Sequence, residues 1–92
     1  SNTMQELVVD LEKVRELKEL SFIKSEIGDE EIAVLGKFLE NHKTLTRLNV
    51  SHNEITDAGA IILTKNLENN SSLKLVTVEN NYIYNEGLLS LK

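Results

Sequence analysis

The chain repeats itself every 28 residues, and this period constrains its fold more than any other feature. Leu17, Leu45 and Leu73 occupy equivalent positions in three consecutive units. Six further sets of apolar residues recur in the same register without a gap: Leu20, Leu48 and Val76; Phe22, Val50 and Val78; Ile27, Ile55 and Ile83; Met4, Ile32, Ala60 and Leu88; Leu7, Leu35, Leu63 and Leu91; and Leu11, Leu39 and Leu67. A period in this range predicts a solenoid, in which each unit buries its apolar positions against its neighbours.

Each unit contains two kinds of hydrophobic periodicity. In the second unit Leu48 and Val50 alternate with the polar residues Arg47, Asn49 and Ser51, which is the period of a strand. The last three apolar positions of a unit follow the spacing i, i+3, i+7, which is one face of a helix. The sequence therefore predicts a right-handed α/β solenoid, with a short parallel sheet on its concave face and helices on its convex face.

The register also divides the chain into units. We expect residues 1–92 to form a single domain, because a chain of 92 residues has the length of one domain. Its parts are a helical half-unit at 3–16, full units at 17–44 and 45–72, and a truncated unit at 73–92. The first helix is expected to run from Met4 to about Arg15.

Short polar residues and glycines recur just before or within the helical stretches. Asp29, Asp57 and Asn85 align ahead of each helix, where a side-chain oxygen can accept a hydrogen bond from a free backbone N–H, so we predict that they are N-caps. Gly59 and Gly87 follow two residues later. We expect them to allow close approach between the helix and strand layers.

The segment LTRLNVSHNEITDAGAIILTKNL resembles the leucine-rich repeat, in the long form found in ribonuclease inhibitor, LxxLxLxxNxIxxxGxxxLxxxL. Its matching positions are Leu45, Leu48, Val50, Asn53, Ile55, Gly59, Leu63 and Leu67, and those of the next unit are Leu73, Val76, Val78, Asn81, Ile83, Gly87 and Leu91. The first unit departs from the pattern at Ser25 and Glu31. The resemblance implies a horseshoe-shaped segment, but proteins with such repeats include inhibitors, immune receptors and bacterial effectors, so it implies no single function.

The asparagines of the pattern have a structural interpretation. A buried amide at a tight turn can bridge the backbones of successive units, as we expect for Asn53 and Asn81. Ser25 can make only part of these hydrogen bonds. We therefore predict that the first unit is locally irregular there or uses a water molecule.

Composition argues against several partners. Fifteen acidic and ten basic residues give a net charge of −5, and aromatic residues are 4% of the chain, which disfavours nucleic acid. The sequence contains no apolar run of the roughly 20 residues that a membrane span requires.

Zero cysteines fit a reducing compartment, so we expect a cytoplasmic protein, with an effector delivered into another cell as an alternative.

One loop combines side chains of catalytic or metal-binding type, namely His52, Glu54 and Asp57. A zinc site needs three or four ligands held in order, and the neighbouring units supply no matching set. The chain has no glycine-rich phosphate loop and no recognisable catalytic constellation. We therefore expect no enzyme activity, no metal and no cofactor.

The residues that vary between units are the candidates for recognition. We predict that a protein partner binds the outward strand positions and the adjoining rim. The strand positions are Glu19, Ser21 and Ile23 in the first unit, Arg47, Asn49 and Ser51 in the second, and Leu75, Thr77 and Glu79 in the third. The rim positions are Lys24, His52, Asn80 and Tyr82. Ile23 and Leu75 are candidate anchors, because apolar residues at a solvated surface beside an arginine can form contacts.

A different class of function places the contacts at the ends of the solenoid. The apolar pattern stops at Lys92, before the position equivalent to Leu67, and no polar capping unit follows. We expect either a piece of a longer repeat protein or self-association through this C-terminal edge.

Overall fold

The computed structural model describes residues 3–84, which form three strands and three helices in alternation. The elements are α1 (Met4–Leu11), β1 (Glu19–Ser21), α2 (Asp29–Glu40), β2 (Arg47–Asn49), α3 (Asp57–Leu67) and β3 (Leu75–Thr77). The predicted strand, turn and helix in each unit are confirmed for the first two units. The predicted cap Asn85, together with Gly87, Leu88 and Leu91, lies outside the described residues.

The strands form a parallel sheet in the order β1-β2-β3, as predicted. Residues 28 positions apart pair directly, so that Leu20 lies beside Leu48 and Leu48 lies beside Val76. The helices pack in the same order, α1 against α2 and α2 against α3. The sequence period is therefore the pairing register of the sheet.

The repeated apolar positions form the core. Every buried apolar side chain of the described residues belongs to one of the repeated sets: Met4, Ile27, Ile32, Leu35, Leu39, Leu45, Leu48, Val50, Ile55, Ala60, Leu63 and Ile83. Among the strand positions burial is deepest in the middle unit, where the exposed fraction of Leu48 is 1%. Its equivalents Leu20 and Val76 are only partly buried, because each has a neighbouring strand on one side among the described residues.

The starts of α2 and α3 differ from the prediction. The N-cap residues are Gly28 and Thr56, and Asp29 and Asp57 are the first residues inside their helices. The carboxylate of Asp29 instead accepts hydrogen bonds from the N–H and the hydroxyl of Thr56 in the next unit. The aspartates therefore join consecutive units and do not cap their own helices.

Gly59 also has a different role from the one expected. A Cβ atom at this position would meet the carboxyl group of Asp29 and the Cγ2 atom of Ile32 in the preceding helix. The close approach is therefore between α3 and the start of α2. The predicted approach between the helix and strand layers is wrong.

The first helix ends earlier than predicted, at Leu11 instead of about Arg15. Two turn-type bonds follow, from the N–H of Lys13 to Asp10 and from the N–H of Val14 to Leu11. Glu16 then adopts a left-handed backbone with φ 55°. This turn redirects the chain toward β1.

Candidate functional site

One row of the candidate surface crosses the sheet at the start of the strands. Glu19, Arg47 and Leu75 are direct neighbours in register, and Leu75 is 52% exposed. Arg47 Nη1 lies 3.5 Å from Glu19 Oε1. Because both side chains are about two-thirds exposed, water screens this ion pair and it contributes little to stability. The row presents an acid, a base and an apolar group to solvent.

The second row consists of small polar side chains. Ser21 is exposed, whereas Asn49 and Thr77 are partly buried. Asn49 Oδ1 accepts a hydrogen bond of 3.0 Å from the N–H of Ser51, which closes the turn after β2.

The third row, beyond the strand ends, departs from the predicted surface. Ile23 is 46% exposed and Glu79 is exposed, but Ser51 is 4% exposed and does not contribute to the surface. The strand alternation ends at Asn49, and His52 has a left-handed backbone with φ 59° that turns the chain. Ser51 Oγ accepts a hydrogen bond of 3.1 Å from the N–H of Glu79. Its hydroxyl therefore stabilises the stacking of the second and third units.

The rim residues form a second repeated feature. Lys24, His52 and Asn80 are equivalent positions, and their φ angles are 55°, 59° and 58°. Asn80 Nδ2 lies 3.3 Å from His52 Nε2, so the two loops touch through their side chains. Tyr82 is 55% exposed. An open depression of about 300 Å³ lies between these loops and is lined by Lys24, Glu26, His52, Asn53, Glu54 and Tyr82.

Asn53 holds the turn beneath this rim, as predicted. Its Oδ1 accepts hydrogen bonds of 2.9 and 3.0 Å from the N–H groups of Ser25 and Ile27 in the preceding unit. Its Nδ2 donates to the carbonyl oxygens of Phe22, Val50 and Ser51. The side chain is 6% exposed, and these bonds satisfy it.

The same bridge recurs one unit later. Asn81 Oδ1 accepts from the N–H of Ile55 at 3.0 Å, and Asn81 Nδ2 donates to Val50 and Val78. The predicted bridging role of both asparagines is therefore confirmed.

The predicted irregularity of the first unit is confirmed as well. Ser25 Oγ is 3.3 Å from the carbonyl oxygen of Ile23, a bond within its own loop. Glu26 has a left-handed backbone with φ 57°, whereas its equivalents Glu54 and Tyr82 do not have positive φ angles. The first loop therefore follows a different path.

The polar residues weighed as a metal site are used differently. His52 contacts Asn80, and Asp57 Oδ1 accepts a hydrogen bond of 2.6 Å from the N–H of Tyr84. Within residues 3–84, no three histidine, aspartate or glutamate side chains come together as a metal-binding group.

Sequence reasoning missed the role of His42. Its Nδ1 accepts hydrogen bonds from the N–H groups of Leu45 and Thr44, at 3.1 and 3.4 Å. Burial lowers the pKa of the imidazole below its ordinary value of 6.5. A signal was present, because Asn70 stands 28 residues later and Oδ1 of Asn70 accepts the equivalent bonds from Leu73 and Ser72.

Comparison with known proteins agrees with this geometry. Residues 41–63 match the family model described as "Leucine Rich repeat". No match to a curated protein was found. None of the helices in the described part of the chain is long and apolar enough to cross a membrane. The family match includes β2, the turn at Asn53 and the first part of α3, so these residues are similar to a leucine-rich repeat.

Proposed function

We propose that the chain is a solenoid segment of the ribonuclease-inhibitor-like subclass and that it binds a protein partner through its strand face and rim. The strand face is defined here as Glu19, Ser21, Ile23, Arg47, Asn49, Leu75, Thr77 and Glu79. The rim is Lys24, His52, Asn80 and Tyr82. In this proposal the sheet lies on the concave face of the solenoid and the helices lie on its convex face.

The exposed row of Glu19, Arg47 and Leu75 is the observation that carries this proposal. Arginine is enriched among the residues that contribute strongly to protein interfaces, and the exposed apolar side chain of Leu75 beside it adds surface area that a partner would bury. Ile23 and Tyr82 extend the apolar contact toward the rim, at 46% and 55% exposure. A partner covering this region would bury three apolar side chains that otherwise face water.

We also propose that the chain acts by binding, without catalysis. Its most chemically capable side chains are already engaged with the backbone: Asn53, Asp29 and His42 each accept hydrogen bonds from main-chain N–H groups. In these positions the side chains stabilise turns and the contacts between units, and this structural use supports the proposal.

A pair of matched double variants tests the proposal. Arg47→Glu with Leu75→Ser changes the strand face, whereas Lys65→Glu with Ile62→Ser makes equivalent changes at exposed positions of α3. Proteins recovered by chemical cross-linking to the wild-type chain are compared with those recovered by each variant. We expect the strand-face variant to lose a partner that the α3 variant retains, with circular dichroism melts similar to wild type. Equal recovery by both variants contradicts the proposal.

A second candidate function is self-association. Among the described residues β1 and β3 each pair with β2 alone, so each has one row of backbone groups without a strand partner. Light scattering over a wide concentration range distinguishes the two. A mass that rises with concentration supports edge pairing, and a constant monomer mass contradicts it.

A further inference from the structure

The turn between α2 and β2 is held by a histidine at a position where the next unit uses an asparagine. His42 and Asn70 are 28 residues apart, and each follows a helix by a few residues. Their own N–H groups bond to equivalent carbonyls, of Leu39 at 3.1 Å and of Leu67 at 3.0 Å. The two turns therefore share this backbone hydrogen bond, although α2 ends at Glu40 and α3 ends at Leu67.

The side chains of these two residues perform the same task. His42 Nδ1 accepts from Leu45 and Thr44, and Asn70 Oδ1 accepts from Leu73 and Ser72 at 2.8 and 2.9 Å. An amide oxygen accepts hydrogen bonds at any ordinary pH. An imidazole nitrogen accepts only while it carries no proton, since both nitrogens of the charged ring are donors.

We propose that His42 is an acid-released latch, because protonation of Nδ1 turns the acceptor for the Thr44 and Leu45 amides into a donor that faces them. The consequence is local. The chain between His42 and Leu45 loses its hydrogen-bonding pattern, whereas the equivalent turn at Asn70 keeps its own.

The latch lies where its release reaches both neighbouring units. The carbonyl oxygen of His42 accepts hydrogen bonds from Asn70 Nδ2 at 3.3 Å and Ser72 Oγ at 3.2 Å. On the other side, Thr44 Oγ1 donates to the carbonyl oxygen of Leu17 at 2.7 Å. Leu45 is fully buried, and β2 begins two residues later at Arg47. Loosening this turn therefore disturbs the start of the central strand.

The surroundings of His42 favour its neutral form. Burial lowers its pKa below 6.5, and the ring packs against Phe38 at a centroid distance of 5.1 Å. The charged side chains carried by the segments around this turn are Glu40 and Lys43 on its own segment, Glu16 and Lys18 before β1, and Glu68 and Lys74 on either side of the next turn. Three of them are acidic and three are basic, and Glu40 lies 3.7 Å from Lys37.

The direction of the pH effect follows from this shift. At pH values well above 6.5 the imidazole is neutral in both the folded and the unfolded chain, so its hydrogen bonds contribute fully to stability. As the pH falls below 6.5, the unfolded chain takes up the proton first, and stability is lost until the pH has passed through the lower pKa of the folded state.

His42→Asn tests the proposal, because asparagine is the residue that does this work one unit later. Melting temperatures of the wild type and variant are measured between pH 7.5 and pH 5.0. His52→Asn is the control, since it removes the other histidine of the chain. We expect the wild type and the control to lose about 4–8 °C more than His42→Asn over this range, which corresponds to the loss of one typical hydrogen bond. Equal losses in all three proteins overturn the proposal.

A measurement on the wild type keeps the proposal testable if His42→Asn does not fold. Nitrogen NMR of the imidazole ring reports its titration, and amide exchange reports protection at Leu45 and Leu73. We expect a midpoint below 6.5 and a fall in the protection factor of Leu45 that Leu73 does not share. A midpoint at or above 6.5, or parallel protection at both amides, overturns the proposal.

Discussion

Asp29 accepts two hydrogen bonds from Thr56 across the boundary between two units. One carboxylate oxygen of Asp29 accepts the N–H of Thr56 at 2.8 Å, and the other accepts its hydroxyl at 2.5 Å. Asp57 repeats the contact with the N–H of Tyr84 at 2.6 Å. The starts of α2 and α3 are thereby hydrogen-bonded to the following unit.

Asp29→Ala is expected to lower the free energy of unfolding by about 1–2 kcal/mol. Hydrogen bonds to an ionised group are stronger than neutral ones, but partial exposure reduces their contribution here. Asp57→Ala loses one such bond and is expected to cost about half as much. Urea denaturation measures both. If Asp29→Ala lowered the free energy of unfolding no more than Asp57→Ala, the result would contradict the two hydrogen bonds between Asp29 and Thr56.

Gly59→Ala is expected to destabilise the protein, although alanine usually stabilises a helix relative to glycine by about 0.5–1 kcal/mol. The added methyl group would collide with the Asp29 carboxyl and approach Ile32 Cγ2 at 3.0 Å. Gly36→Ala is the comparison in α2. Its methyl group would lie 2.7 Å from Asn66 Nδ2 and 3.3 Å from Asn66 Cβ, so the amide must shift from its bond to the Ile62 carbonyl, and we expect a smaller loss. Thermal melts should therefore show a clearly larger fall in melting temperature for Gly59→Ala.

The double variant Asp29→Ala with Gly59→Ala should be less destabilised than the sum of the two single variants. Without the carboxyl group, the methyl group at position 59 loses its main obstacle. The residues are in contact, so a coupling of about 0.5–3 kcal/mol is in the normal range. Additive losses would show that Asp29 is not what excludes a side chain at position 59.

Asn53→Ala is expected to cost at least about 3 kcal/mol. The substitution removes the acceptor for the Ser25 and Ile27 amides and leaves buried backbone groups unpaired, at about 1–3 kcal/mol each. Asn81→Ala is the matched control, because Asn81 is less buried and accepts one amide from the preceding unit. We expect its cost in urea denaturation to be clearly smaller. Equal losses in the free energy of unfolding would be inconsistent with the more buried hydrogen bonds of Asn53.

Leu48→Ala and Leu20→Ala compare equivalent positions in different units. Leu48 is 1% exposed between two neighbouring strands, so its truncation is expected to cost about 2–5 kcal/mol. Leu20 is partly buried at the edge of the described sheet, and we expect about half that loss. Equal losses would show that the units are not stacked with β2 in the middle.

The repeat could be read from the sequence because apolar residues have one dominant reason to recur at a fixed spacing, which is burial. Leu48 was placed beside Leu20 and Val76 by counting alone, and the sheet has this register. Asn53 was also predictable, because a single amide side chain can accept and donate toward two units at once.

The errors have a common cause, which is that side-chain direction depends on backbone turns that spacing does not reveal. Asp29 is the first residue of α2 and not its N-cap, so its carboxylate points to the next unit. Ser51 follows the end of β2 and turns inward before the left-handed His52. The role of His42 was missed because its partners are backbone N–H groups, and the signal for it is indirect, namely Asn70 at the equivalent position of the next unit.

The candidate binding surface was only partly predictable for the same reason. Arg47, Leu75 and Ile23 lie on the surface where the alternation placed them, because they are in the strands or continue their direction. Ser51 has the same alternation but becomes part of a turn.

The central claim is that the turn asparagine of one unit holds the loop of the preceding unit. Hydrogen exchange at the Ser25 and Ile27 amides tests it most directly, because the acceptor of both is Asn53 Oδ1. We predict that both amides are protected in the wild type, although Ser25 is an exposed loop residue, and that Asn53→Ala removes this protection first. Exchange of both amides in the wild type at the rate of an unprotected loop would contradict the account.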